Sequence, residues 1–169
     1  MSTTETKSPP KDPKKEPVPE KVEDTAPAFE KSYVDQIANQ FSEDVEVEYI
    51  KENRTRLNVK KEKIVDVAKF IKDNTPFDHA ESVSGVDFPE EKEIGVTYHL
   101  GSYTDPAYSK QVLALTTRAP REETPNPGND STKLPSLRDM FYSVEFHERE
   151  VFEMLGVYFE GHPDNRRLL

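Results

Sequence analysis

The 169-residue chain has no cysteine and no tryptophan, and its six glycines stand singly rather than in runs. Without cysteine it can form no disulfide, carry no catalytic thiol and offer no thiolate to an iron–sulfur cluster. That usage fits a reducing compartment. Without a glycine-rich loop it has no ready phosphate cradle, and no Gly-x-Ser-x-Gly elbow is present to lift a nucleophilic serine. Long apolar runs are missing too. Nothing approaches the ~20 residues of a membrane-spanning helix, and the amino terminus lacks the apolar core of a secretory signal. Any membrane association is therefore expected to go through other proteins. Positive charge is short as well: 23 Lys and Arg face 33 Asp and Glu, for a net charge of −10. An acidic body argues against nonspecific nucleic-acid binding, which relies on basic surface to displace counterions. It argues equally against electrostatic attachment to anionic lipid.

Proline is what the chain does have, and much of it comes early. Residues 1–28 hold six of the fourteen prolines, with Met1, Val18 and Val22 as the only sizeable apolar side chains. Such a segment cannot bury enough surface to offset roughly 1–2 kcal/mol of backbone entropy per residue, so it reads as a disordered tail. Tyr33, Val34, Ile37, Ala38 and Phe41 then recur at helical spacing, predicting a helix over 30–43. Val45, Val47 and Tyr49 alternate with acids as in a half-buried strand. Glu52-Asn53-Arg54 makes a hairpin turn, and 55–59 is the return strand. Ile64, Val67, Ala68 and Ile71 mark a second helix, stopped by Asn74 and Pro76. Three strand-like runs follow at 80–88, 94–102 and 110–117, and a turn-rich loop fills 118–133.

This order implies an α+β fold, with two helices packed on one face of a mainly antiparallel sheet. A carboxy-terminal arm, a helix followed by an extended run, is expected to stand apart for docking. The expected divisions are a tail at 1–28, an α+β domain at 29–120, a loop at 121–133 and a docking arm at 134–169.

The arm concentrates the chemistry. His147-Glu148-Arg149-Glu150 opens like a zinc-protease helix, but the position that needs the second histidine is Val151. His162 lies beyond a glycine break. No metal site is expected, and His147 reads as a partly exposed helix residue. Glu150 and Glu153, three apart, could pair for acid–base work, yet Arg149, Arg166 and Arg167 are simpler partners for them. No catalytic residue is expected in this chain. Phe141, Tyr142, Phe146, Phe152, Tyr158 and Phe159 crowd the same stretch among Arg and Glu. Aromatics and arginine are enriched at the energetic centres of protein interfaces. Partner docking is the reading that this density supports.

The same residues resemble a known family. Leu134-Pro135-Ser136-Leu137, the run Glu148 to Val157, Phe159-Glu160-Gly161-His162-Pro163-Asp164 and Arg166-Arg167-Leu168-Leu169 are similar to the signature of the thirty-kilodalton, or C-subunit, family of respiratory complex I. Gly85 to Pro89 and Val96 to Leu100 resemble its strand region, so the likeness covers about residues 30–169. Phe146 stands where an indole is common and Glu153 where Asp is usual. The chain also stops at Leu169, where many relatives continue, which makes it resemble short archaeal members from membrane-bound hydrogenases, sulfur-reducing complexes and deazaflavin-oxidising dehydrogenases.

The resemblance implies a scaffold at the cytoplasmic face of the membrane, in the peripheral arm of a redox complex coupled to ion movement. Such a scaffold holds no cofactor. It braces a hydrogenase-like large subunit and a small subunit that holds the iron–sulfur cluster. The expected interface residues are Pro135, Ser136, Phe146, Glu148, Arg149, Glu150, Phe152, Gly156, Phe159, His162, Pro163, Asp164, Arg166 and Arg167. Glu148, Arg149 and Glu150 are expected to form a buried, partly intermolecular ion-pair network with Arg166 and Arg167. The competing readings are a stand-alone metal-dependent hydrolase using His147, Glu148, Glu150 and His162, and a soluble adaptor.

Overall fold

The computed structural model describes residues 26–121, 132–166 and 168. The expected tail and most of the expected 121–133 loop lie outside the described residues. Helix α1 (Ala28–Gln40) starts where the Pro27 carbonyl accepts the Lys31 amide at 3.0 Å. Strands β1 (Val45–Lys51) and β2 (Arg54–Val59) form the predicted hairpin. Its turn is closed by Asn53 at a φ of 60°, a conformation that asparagine tolerates better than most residues. Helix α2 (Ile64–Asn74) buries Ile64, Val67, Ala68 and Ile71, the positions its periodicity marks, and ends at Thr75 ahead of Pro76. Then come β3 (His79–Phe88), β4 (Glu93–Gly101) and β5 (Val112–Pro120), and after the gap β6 (Lys133–Pro135), α3 (Val144–Leu155) and β7 (Tyr158–Glu160).

The main sheet runs in the order β1-β2-β5-β4-β3, with β2 and β5 parallel and every other neighbour antiparallel. Period-two alternation sorts its side chains. Val45, Leu57, Val59, Ile94, Val96, Tyr98, Leu100, Leu113 and Leu115 all point to one face and are buried in a single core with residues of all three helices. The opposite face carries Arg54, Arg56, Thr97, His99, Thr116 and Arg118, and no described element covers it.

Fold class and strand order along the chain follow the expectation, with one rearrangement at the carboxy-terminal end. The helix and the extended run after it are present, but they do not stand apart. Leu134, Leu137, Phe141, Val144, Val151, Val157 and Phe159 belong to the same core as the sheet. Helix α3 lies on β3, where a Cβ at Gly85 would overlap the Leu155 side chain and come within 3.2 Å of Val151 Cγ1. The sheet is thus covered by three helices rather than two. The loop prediction also gives way at its ends. Strand β5 runs on to Pro120, and Lys133 opens β6, which pairs in parallel with β7.

Candidate docking site

Helix α3 has two sides with different chemistry. Val144, Glu148 and Val151 face inward, and Glu148 has no exposed surface at all. A buried carboxylate is costly unless donors surround it. Here Ser136 Oγ donates to it at 2.5 Å, the Leu137 amide at 2.9 Å and the Tyr98 hydroxyl at 2.9 Å. Burial still pushes the Glu148 carboxyl up, against the pull of these donors and of His162. Burial and the neighbouring Glu148 charge push the Tyr98 phenol up as well. One side chain thereby ties together the middle of the sheet, the 136–137 turn and α3.

His162, buried beside Glu148 with Nε2 4.0 Å from its carboxylate, is committed elsewhere. Its Nε2 meets the Glu145 carbonyl at 3.0 Å and must donate, while Nδ1 accepts the Asp164 amide at 3.0 Å. That pattern assigns the neutral Nε2–H tautomer. The turn it anchors returns the chain to α3. Arg149 reaches Asp164 at 3.4 Å and the Arg166 carbonyl at 3.0 Å, and Glu153 accepts the Leu168 amide at 2.8 Å. Arg166 binds Asp164 through Nε and Nη2 at 2.8 and 2.9 Å. The Arg166 hydrogen bonds, and then the Arg149 charge, hold the Asp164 carboxyl well below the usual carboxylate range. Gly156 ends the helix in the left-handed conformation, φ 76°, its amide bonded to the Phe152 carbonyl, as its sequence position predicts.

The expected interface residues therefore divide. Glu148, Phe159 and His162 are buried inside the chain. Pro135, Ser136, Arg149, Phe152, Gly156 and Asp164 are half-buried, whereas Phe146, Glu150, Pro163 and Arg166 are exposed. Arg167 lies outside the described residues. Glu148 and Arg149 make the interactions just described within this chain, Glu148 with neutral donors rather than with an arginine. Their partners, Tyr98 and Asp164, are already in place. Nor do the four residues of the hydrolase reading converge. His147 Nδ1 is engaged by the Ser143 carbonyl at 3.0 Å, and among the described residues no group of three or more His, Asp or Glu is gathered to hold a metal ion.

What α3 offers outward is apolar. Tyr142, Phe146 and Met154 are 73%, 60% and 72% exposed, and with Glu150 they recur every four residues. Cations frame the stripe: the Arg138 guanidinium sits 4.2 Å from the Tyr142 ring centre and that of Arg149 5.9 Å from Phe146. Met154 and the internal partner Tyr98 are not among the site residues expected from sequence. The four-residue spacing is the signal that could have found Met154. For Tyr98, 50 positions from Glu148, no local signal exists.

Residues 57–169 match the family model described as the 30 kDa subunit of respiratory-chain NADH dehydrogenase. The chain is 35% identical over 116 residues to the C subunit of the F420H2 dehydrogenase of Methanosarcina mazei, covering 69% of this chain and 66% of that protein. It is 32% identical over 108 residues to the C subunit of the NADH-quinone oxidoreductase of Phenylobacterium zucineum, covering 63% and 46%. The chain thus spans about half to two thirds of the length of these relatives. Among solved structures, a chain of the archaeal membrane-bound sulfane sulfur reductase superimposes with a TM-score of 0.65 at 29% identity, covering 78% of this chain and 71% of its own. The trypsin-resistant fragment of Nqo5 shares the fold, with a TM-score of 0.59 at 22% identity over 79% of this chain and 97% of its own.

Proposed function

Because the chain belongs to the family of the 30 kDa subunit of respiratory-chain NADH dehydrogenase, we propose that it is a structural subunit of the peripheral arm of a complex I-related membrane-bound redox complex. In this reading it holds no cofactor, in keeping with the absence of cysteine, and the iron–sulfur clusters sit in its neighbours. Its partners are a hydrogenase-like large subunit and an iron–sulfur small subunit at the cytoplasmic face of the membrane. It reaches the membrane through them. No helix among the described residues is long and apolar enough to cross one.

The observation that carries the proposal is the outer stripe of α3. Phe146 and Met154 lie open to water on a helix whose inner side is locked by Glu148 and the core, and Tyr142 lies open in the turn just before it. Exposed aromatic and methionine side chains at four-residue spacing, with arginine beside the rings, have the composition of an interface centre. Their rigid backing removes part of the ordering cost of association. Binding here is carried by apolar burial on either side of Glu150, which stands within the stripe. The internal Glu148 cluster holds the platform in shape.

The test is co-expression with the two partner subunits followed by affinity purification. Phe146→Asp combined with Met154→Asp is expected to reduce recovery of the partners at least tenfold while leaving the melting temperature of the isolated chain unchanged. Wild-type recovery by that double variant would sink the proposal.

A further inference from the structure

Tyr103 has the most exposed large hydrophobic side chain among the described residues, at 83%, yet it is held firmly. Its ring lies flat on the His79 imidazole, with centres 3.5 Å apart and planes 7° from parallel. Two rings left to themselves prefer an offset or edge-on contact to a full sandwich, so something else imposes this one. Asp78 does. One of its oxygens accepts His79 Nδ1–H at 2.7 Å and the Tyr103 amide at 3.1 Å. The other accepts the Thr104 amide at 3.0 Å and the Thr104 hydroxyl at 2.6 Å. The Asp78 amide in turn donates to the Gly101 carbonyl at 3.1 Å, and Ser102 Oγ accepts the Asp105 amide at 3.2 Å. His79 Nε2 is buried without a partner, which assigns the neutral Nδ1–H tautomer to the imidazole. Burial opposes ionisation of Asp78, but the Thr104, His79 and Tyr103 hydrogen bonds outweigh it and hold the carboxyl at about 2. A fixed charge thus stands behind a fixed ring. Freezing an aromatic side chain in water does little for a fold, whereas for a binding surface it removes ordering cost in advance.

The chemistry around the ring selects its ligand. Among the described residues no Lys or Arg lies over Tyr103, and neither Asp78 nor Asp105 is paired with one. Other rings at the surface of this chain do carry a guanidinium: Arg138 sits 4.2 Å from the centre of Tyr142, and Arg118 4.3 Å from that of Phe88. The face of the Tyr103 ring is negative by its quadrupole, and the imidazole behind it adds no positive charge. Asp78 grips the loop from below and Asp105 belongs to it. That combination attracts a cation, and a planar, weakly hydrated guanidinium stacks on a ring better than an ammonium does. The site also adjoins the outward stripe of α3. Ser143, between Tyr142 and α3, accepts the Ala80 amide at 3.1 Å, one residue on from His79. We propose that the outer face of Tyr103 receives an arginine of the subunit that docks on α3, its guanidinium stacked on the ring and drawn there by Asp78 and Asp105. This rests on the docking reading above and names one group that the partner must bring.

The test uses the co-expressed complex and varies the electron density of the ring at position 103. Tyr103→Leu is expected to speed dissociation of the partner about tenfold, with the melting temperature of the isolated chain unchanged. Tyr103→Phe is expected to stay within about twofold of wild type, since a phenyl face still attracts a cation. Phenylalanines carrying one, two and three ring fluorines keep the shape of the side chain while drawing charge from its face. Dissociation is expected to accelerate stepwise along that series. Fluorinated rings that all behave like phenylalanine would mean plain apolar contact and would overturn the proposal, as would wild-type dissociation by Tyr103→Leu. Failure of the wild-type chain to recover any partner would overturn the docking reading and this one with it. A complex that is lost with Phe146→Asp and Met154→Asp but is indifferent to every change at Tyr103 would overturn this one alone.

Discussion

At the scale of single residues, Glu148 acts as an acceptor hub rather than as half of an ion pair. Three donors converge on it, and its nearest imidazole is occupied by a carbonyl. Glu148→Ala strands three buried donors and is expected to cost about 3 kcal/mol in chemical denaturation. Glu148→Gln keeps a carbonyl for Tyr98 and Leu137 and can turn its amide toward Ser136, so it is expected to stay within about 1 kcal/mol of wild type at neutral pH. The sign of the pH effect follows from the raised carboxyl. Its contribution is complete below the unfolded carboxylate range and is lost as pH rises through the folded value. Wild type should therefore exceed the Gln variant most in acid, and the gap should narrow toward neutrality. Equal losses for Ala and Gln would show that the charge, not the acceptor, matters. The sequence singles out Glu148 but not the reason for it. Val144, Glu148 and Val151 already share one helix side by spacing, which places the glutamate inward. Ser136 and Tyr98, 12 and 50 residues away, become its partners only through the fold.

Among the elements, the two helices and the hairpin that precede the long strands were legible because each carries a clean period and a stop signal. The α2 stop at Pro76 and the turn at Asn53 needed nothing from the rest of the molecule. Where α3 would settle was not legible, because the feature that receives it is an absence of side chain on another element. Gly85 reads as a weak point in a strand. In the structure it is the place where Val151 and Leu155 come down onto β3. Leu155 Cδ1 is the far end of a mobile side chain and can yield to a single methyl, so Gly85→Ala is expected to be mild. Gly85→Val adds branched bulk against Val151 as well and is expected to cost about 2 kcal/mol through overpacking. Thermal unfolding of the two variants side by side checks this. A valine variant as stable as wild type would mean that α3 sits farther from β3 than the geometry shows.

For the molecule as a whole, the question is whether residues 134–169 are an appendage or a wall. Their charge density and the loop before them read as an appendage, and the exposed side chains along α3 are what the docking proposal rests on. The appendage reading is overturned by the seven apolar residues of this stretch that share one core with the sheet. Each such burial is worth roughly 1.5–3 kcal/mol, and a domain's whole stability is about 5–15 kcal/mol. Losing all of them exceeds what the remainder can sustain. The face of β3 and β4 around Ala80, Val83, Ile94, Val96 and Tyr98 would also lie open to water. A fragment ending at residue 133 is therefore expected to show no cooperative melting transition and to bind a hydrophobic dye strongly, whereas an appendage would leave it folded with a melting point near that of the full chain. The outcome bears on assembly as well as on folding. A wall that is part of the core presents Tyr142, Phe146 and Met154 in fixed register before any partner arrives, so substitutions there should act mainly on dissociation rates. An appendage would have to be ordered on binding, and the same substitutions would slow association too.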